Sequence, residues 1–214
     1  MRAIAEKTRL SAAVITALFS LSLFAEAQRS IPIAAARAQA QGTTVAVIGL
    51  VTVPSGAFRS SSEDEGFAIQ DQTGGIWVSV NKNPKLIIKQ KVLVTGTLGV
   101  RAGKLQIVAS NVVQLPGSNL SIATGQIGKA TLGSLITVEG TIVKALVADL
   151  PYGHKLFLND GSGIAQVYLN ASTDIDPKAP FLKAGRRLRV TGFGSQYNTT
   201  YEIEPRSKMD LTPF

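Results

Sequence analysis

The 214-residue chain contains a single histidine, His154, and no cysteine. Thiolate nucleophiles, thiolate metal sites and disulfides are therefore excluded, and any imidazole general base must be His154 itself. It follows Pro151-Tyr152-Gly153 in an expected loop, with no spacing that ties it to a nucleophile. The run Ser60-Ser61-Ser62 and Ser195 lie in no nucleophile elbow, and a triad does not follow from the mere presence of its residue types. Asp174 and Asp176 share a proline-containing loop and read as an exposed pair. Asp71 and Asp160 head the turn-like strings Asp71-Gln72-Thr73-Gly74-Gly75 and Asp160-Gly161-Ser162-Gly163. Neither string carries the further oxygen ligands of a calcium loop, so each aspartate is expected to bond its own turn backbone. The expectation is a non-enzymatic chain with no catalytic residue, metal or cofactor.

What remains is binding chemistry. The formal charge is +8, and +7 once residues 1–27 are set aside. Residues 44–115 hold seven Lys or Arg against four Asp or Glu, whereas residues 130–214 hold nine against eight. The excess is therefore concentrated in the first half and the linkers, most densely at Lys82, Lys85, Lys89 and Lys91. Such a stretch serves as a phosphate track, as an attraction to anionic lipid or wall polymer, or as a solvated edge that keeps a strand from mispairing. Arg186, Arg187 and Arg189 form a second cluster, expected to be offset by Asp149, Asp174 and Asp176.

The elements that position these groups occur twice. Val45, Val47, Gly49 and Val51, then Phe67 to Val78, then Val92-Leu93-Val94-Thr95-Gly96 and Leu105-Gln106-Ile107 make one copy. Ile136, Val138, Gly140 and Ile142, then Leu156 to Ile164, then Leu188-Arg189-Val190-Thr191-Gly192 and Tyr201-Glu202-Ile203 answer it. Alternation of apolar with polar or small residues gives half-buried strands, and the Asp/Gly strings give hairpin turns. Gly49, Gly96, Gly140 and Gly192 mark the bends that a small sheet needs to curl. The fold class expected is all-β, two tandem five-stranded Greek-key barrels of OB type after an N-terminal signal segment. The expected divisions are a signal peptide over 1–27, a linker over 28–42, one barrel over 43–116, a linker over 117–129 and the second barrel over 130–214.

Gly66-Phe67-Ala68-Ile69-Gln70-Asp71 through Trp77, with Val94-Thr95-Gly96, resembles the OB-fold domains that accompany secreted bacterial endonucleases and related extracellular nucleic-acid-processing proteins. Phe157-Leu158-Asn159-Asp160-Gly161-Ser162-Gly163 and Tyr201-Glu202-Ile203-Glu204-Pro205-Arg206 carry the same resemblance in the second copy. In such proteins the OB domain often accompanies a catalytic domain, which no segment of this sequence is expected to supply, and that weakens any carry-over of nuclease function.

Strand alternation also proposes which side chains meet a ligand. With Ile69, Val78 and Val80 inward, Ala68, Gln70, Trp77 and Ser79 point outward from strands 2 and 3 of the first copy. With Leu158, Val167 and Leu169 inward, Phe157, Asn159, Gln166 and Tyr168 point outward from the second. This is the face on which OB folds commonly take oligonucleotides or oligosaccharides. Trp77 either stacks a base there or is covered by the loop over 54–65 or by the other barrel. The candidate ligand-binding set is these residues with Lys82, Lys85, Lys89 and Lys91. The partner expected is single-stranded nucleic acid or another linear polyanion; the alternative is a cell-envelope adaptor making protein or glycan contacts.

Arg2, Lys7 and Arg9 precede an uncharged run from Leu10 to Ala25, and Ala25-Glu26-Ala27 offers small residues where a signal peptidase reads. Export to the periplasm or the exterior is expected, with cleavage after Ala27 and later sites near Ala38 and Ala40. Membrane attachment is expected only if the segment stays uncleaved.

Overall fold

The computed structural model describes residues 29–59, 65–117, 123–124 and 132–214. The first half forms a closed barrel from β1 (Thr44–Val53), β2 (Phe67–Gln70), β3 (Gly75–Ser79), β4 (Lys91–Arg101) and β5 (Lys104–Leu115) in the order β1-β2-β3-β5-β4. Its pairings are antiparallel except β3 with β5, which is parallel. Five strands closed in this circuit make a Greek-key barrel of OB type. Val45, Val47, Val51, Ile69, Ile76, Val78, Val92, Val94 and Ile107 fill it, with Val80 partly buried against them, so the expected inward residues are inward. The register shifts between Thr95 and Gly96 of β4, where Ser110 of β5 is the extra residue of a bulge that bends the strand pair. There a Cβ on Gly96 would collide with the Val108 carbonyl, which explains why glycine stands at that bend.

Part of the linker expected over 28–42 belongs to this barrel. The helix α1 (Ile33–Arg37) places Ile33 and Ala36, three residues apart on one face, in the barrel's core. Asp71 Oδ2 accepts the Ile33 N–H at 2.8 Å, and Ala46 O accepts the Ile31 N–H at 2.9 Å. A five-residue helix is too short to show as periodicity in the sequence.

The second half is a sheet of eight strands in the order β13-β11-β12-β10-β9-β7-β6, with an additional pairing of β11 with β7 and with β8 beside β9. The strands are β6 (Ala123–Thr124), β7 (Leu135–Ile142), β8 (Val147–Asp149), β9 (Gly153–Asn159), β10 (Ile164–Asn170), β11 (Arg187–Tyr197), β12 (Thr200–Glu204) and β13 (Leu211–Pro213). Ile136, Val138, Leu156, Leu158, Val167, Leu169, Val190 and Ile203 form its core. His154, expected in a loop, lies in β9 opposite Ala148 and Leu169.

The two halves meet through their outer faces. Trp77, Ala68 and Val53 of the first half, Phe58 of the loop after β1, and Phe193 of β11 form one buried cluster. Beside it Gly75 and Gly133 approach so closely that a Cβ on either would collide with the other's carbonyl. The expected signal segment over 1–27 lies outside the described residues. Among the described residues no helix is long and apolar enough to cross a membrane.

Candidate functional site

The basic stretch runs along the connector from β3 to β4 and ends on Lys91, the first residue of β4, and local hydrogen bonds fix the connector's backbone. Asn83 Oδ1 accepts the Lys85 N–H at 2.7 Å, and Ser55 Oγ accepts the Leu86 N–H at 2.8 Å. Gln90 Oε1 accepts the Ile87 N–H at 2.9 Å, while Lys89 N donates to Val51 O at 2.9 Å. Leu86 is sunk into the barrel core at 2% exposure. With the chain anchored there, Lys82, Lys85 and Lys89 stand exposed and Lys91 half-buried. Lys85 and Lys89 hold positive φ angles of 56° and 72°, a conformation non-glycine residues adopt only where the surroundings impose it. Among the described residues no ion pair neutralises any of the four lysines.

Trp77 is not a ligand platform. It points out of its barrel as alternation requires, but it is only 2% exposed. Phe58 stacks on it with centroids 6.2 Å apart, Phe193 tilts against it at 5.6 Å, and Lys104 Nζ sits 4.5 Å from its ring centroid. The covering alternative therefore holds: loop and second half both cap the ring. Gln70 is corrected with it. Its Oε1 accepts the Leu135 N–H at 2.9 Å and its side chain is buried in the junction. Ser79, at the end of β3, is half-buried.

On the second half the corresponding face stays partly open, and the tip of the β4–β5 hairpin leans over it, with Asn198 N donating to Ala102 O at 2.6 Å. A cleft of about 260 Å³ lies between them. Gln166 and Tyr168 reach this cleft; Phe157 and Asn159 do not line it. Gln166 Nε2 donates to Glu202 Oε2 at 2.9 Å. Phe157 is half-buried under Lys144 Nζ, 3.8 Å from its ring centroid, and Asn159 Oδ1 accepts the Gly161 N–H in the β9–β10 turn at 2.7 Å.

No family model matches the sequence. No curated protein matches it either. Solved structures do resemble it. A murine DNA-binding protein bound with double-stranded DNA aligns at 15% identity over 74% of this chain and 90% of its own, with a TM-score of 0.42. The single-stranded DNA-binding protein from Thermus aquaticus aligns at 15% identity over 82% and 94%, with a TM-score of 0.30. Fission yeast Pot1 with single-stranded DNA aligns at 10% identity over 82% and 84%, with a TM-score of 0.39. Likenesses this distant leave the ligand to be argued from the chain's own surface.

Tyr168 carries a large electrostatic perturbation. Its hydroxyl donates to Asp149 Oδ2 at 3.1 Å, and burial, then the Asp149 charge, push its pKa well above the usual 10.0. Folding thus favours the neutral phenol. Stability is unaffected by this group below about pH 10, where both states hold the proton, and falls above it as only the unfolded chain ionises. Melting temperature followed from pH 9 to 11.5 is expected to drop less steeply in Tyr168→Phe than in the parent; equal slopes would contradict the assignment.

Asp71 and Asp160 behave as turn residues. Asp71 Oδ1 accepts from Thr73 N at 2.7 Å and Gly74 N at 3.0 Å, and Asp160 Oδ1 accepts from Ser162 N at 2.8 Å. No group of three or more acidic or histidine side chains able to hold a metal is found among the described residues. The arginine cluster is offset differently from expectation: Arg189 pairs with Glu139 at 2.6 Å, while Asp149 pairs with Lys155 and Asp174 with Lys208. Sequence reasoning missed Ser195, Glu202 and Glu204 as cleft residues. With Ile203 inward, Glu202 and Glu204 had to share the outer face of their strand, a signal that period-two alternation already contains.

Proposed function

We propose that this chain is an exported, non-enzymatic protein of two tandem OB-type barrels that binds a linear polyanion, single-stranded nucleic acid first, through the β3–β4 connector. The observation that carries the proposal is four ammonium groups, three on a hydrogen-bonded connector and the fourth at the start of β4, with no ion pair to any of them among the described residues. A pinned backbone loses little entropy on binding, and each ammonium that meets a phosphate releases counterions. Ile87 and Ile88, 64% and 38% exposed between the lysines, add apolar surface for a base or sugar. The tandem assignment is supported by the second half, whose pairings run β7-β9-β10-β12-β11 and back to β7, the circuit of the first barrel. Export rests on the residues before Gln28; a secreted product whose mass begins at Gln28 is expected, and retention of residues 1–27 in the mature chain would count against it.

If all four lysines contact a single strand, log affinity falls with log salt at a slope of about −2.8, so raising salt fourfold costs about 50-fold. Fluorescence anisotropy with a labelled oligonucleotide should return this slope, and the Lys82→Gln/Lys85→Gln/Lys89→Gln/Lys91→Gln variant should lose most of it. Equal binding by parent and variant would sink the proposal. The exposure of Ile87 favours a second reading, an envelope adaptor whose connector docks on another protein. That reading requires Ile87→Ser to abolish an interaction that salt leaves unchanged.

A further inference from the structure

The β10–β11 connector of the second half docks through the same hydrogen bonds as the lysine connector of the first. In the first barrel Val51 N donates to Gln90 O at 2.8 Å, and Lys89 N donates to Val51 O at 2.9 Å. In the second half Ile142 N donates to Arg186 O at 2.9 Å, and Gly185 N donates to Ile142 O at 2.8 Å. Lys89 and Gly185 both hold positive φ angles, 72° and 82°, and Leu86 and Leu182 are the matching anchors in the two cores. Arg187 opens β11 as Lys91 opens β4.

The shared frame presents a second set of cations. Lys183, Arg186 and Arg187 stand exposed, and among the described residues no ion pair reaches any of them. Nearby carboxylates are occupied: Glu139 pairs with Arg189, and Asp174 with Lys208. The Arg187 guanidinium lies 4.3 Å from the centroid of the exposed Phe214 ring, a contact that orients the charge without neutralising it. Lys178 differs, because Asp176 shares its turn and accepts the Lys178 N–H at 2.9 Å.

One loop holds the starts of both connectors. Ser55 Oγ donates to Asn83 Oδ1 of the first at 2.6 Å, and Ala57 O accepts the Ser172 hydroxyl of the second at 2.7 Å. Arg59 N also donates to Ser172 Oγ, at 3.2 Å.

We infer that Lys183, Arg186 and Arg187 form a second contact site for the same ligand, so that a single-stranded nucleic acid held on the lysine connector continues onto the β10–β11 connector. The inference rests on the polyanion reading proposed above. Asp174 and Asp176 lower the second connector's own attraction, so it extends a strand already held rather than capturing one. Once the first connector holds the strand, the second contact is intramolecular and needs little affinity of its own.

The test is anisotropy titration with labelled oligothymidylates of about 10 and about 30 nucleotides, the shorter matched to a single OB barrel. On the shorter strand the parent should show the slope of about −2.8 that the first connector alone supplies; on the longer, three further phosphate contacts should steepen it to about −4.9. The Lys183→Gln/Arg186→Gln/Arg187→Gln variant should return the longer strand to about −2.8 and bind it at least about tenfold more weakly at low salt, with the shorter strand unchanged. The charge-retaining variant Lys183→Arg/Arg186→Lys/Arg187→Lys should bind both strands as the parent does, which separates charge from packing. The parent's two slopes decide the matter even if the glutamine variant does not fold. Equal slopes on the two strands, or a folded glutamine variant that holds the longer strand as tightly as the parent, would overturn the inference; the first connector would still stand if its own four-lysine variant loses both strands. A four-lysine variant that keeps both strands would instead overturn the polyanion reading, and this extension with it.

Discussion

Trp77→Ala is expected to lose about 3–5 kcal/mol of stability in urea or thermal unfolding. The ring lies between Phe58, Phe193 and the Lys104 ammonium, at the centre of the cluster that joins the two halves. Truncation leaves a cavity that Gly75 and Gly133, already in backbone contact, hold open by keeping the halves at their spacing. Because the cluster joins the halves, calorimetry should also show the variant's single transition broadening or splitting into two. Oligonucleotide affinity, measured where the variant is still folded, should stay within about twofold of the parent, since the ring has no surface to offer a base. A stable variant that has lost oligonucleotide binding would instead return Trp77 to the ligand.

The same residue shows how far the sequence could be read. Alternation correctly separates Ile69 and Val78, inside the first barrel, from Ala68 and Trp77, outside it. Alternation distinguishes two faces of a strand; it is silent on what covers the outer one. Burial of Trp77 depends on Phe58 in an irregular loop and on Phe193 more than a hundred residues away, and neither has a local signature. The repeat was legible because each strand core carries its own period, whereas α1 was not, being one turn long. For the candidate site the lysines were legible as a charge cluster, and their availability was not. It depends on Leu86 anchoring the connector and on no ion pair reaching the lysines among the described residues. The cleft was the least legible feature, since it needs the register of β10, β11 and β12 together with a hairpin from the other half.

The other large effect is expected at the far side of the junction, where Arg206 and Asp210 form a bidentate pair. Arg206 Nη2 donates to Asp210 Oδ1 at 2.6 Å and Arg206 Nε to Oδ2 at 2.8 Å, with side chains only 12% and 9% exposed. Asp210 also accepts the Arg206 N–H at 2.8 Å, and Arg206 Nη1 donates across the junction to Thr52 O at 2.9 Å. Asp210→Ala leaves a guanidinium buried without its counter-charge and should cost about 3–5 kcal/mol. Arg206→Met strands the carboxylate and should cost a similar amount. The double variant Arg206→Met/Asp210→Leu removes both charges and should recover most of the loss, remaining about 1 kcal/mol below the parent because the bond to Thr52 is gone. A double-mutant cycle in urea reads this directly. Additive single effects would mean that the pair is hydrated enough for each charge to stand alone. Strong coupling would mean that one ion pair, fixed by a single turn of chain before β13, helps hold the two halves together.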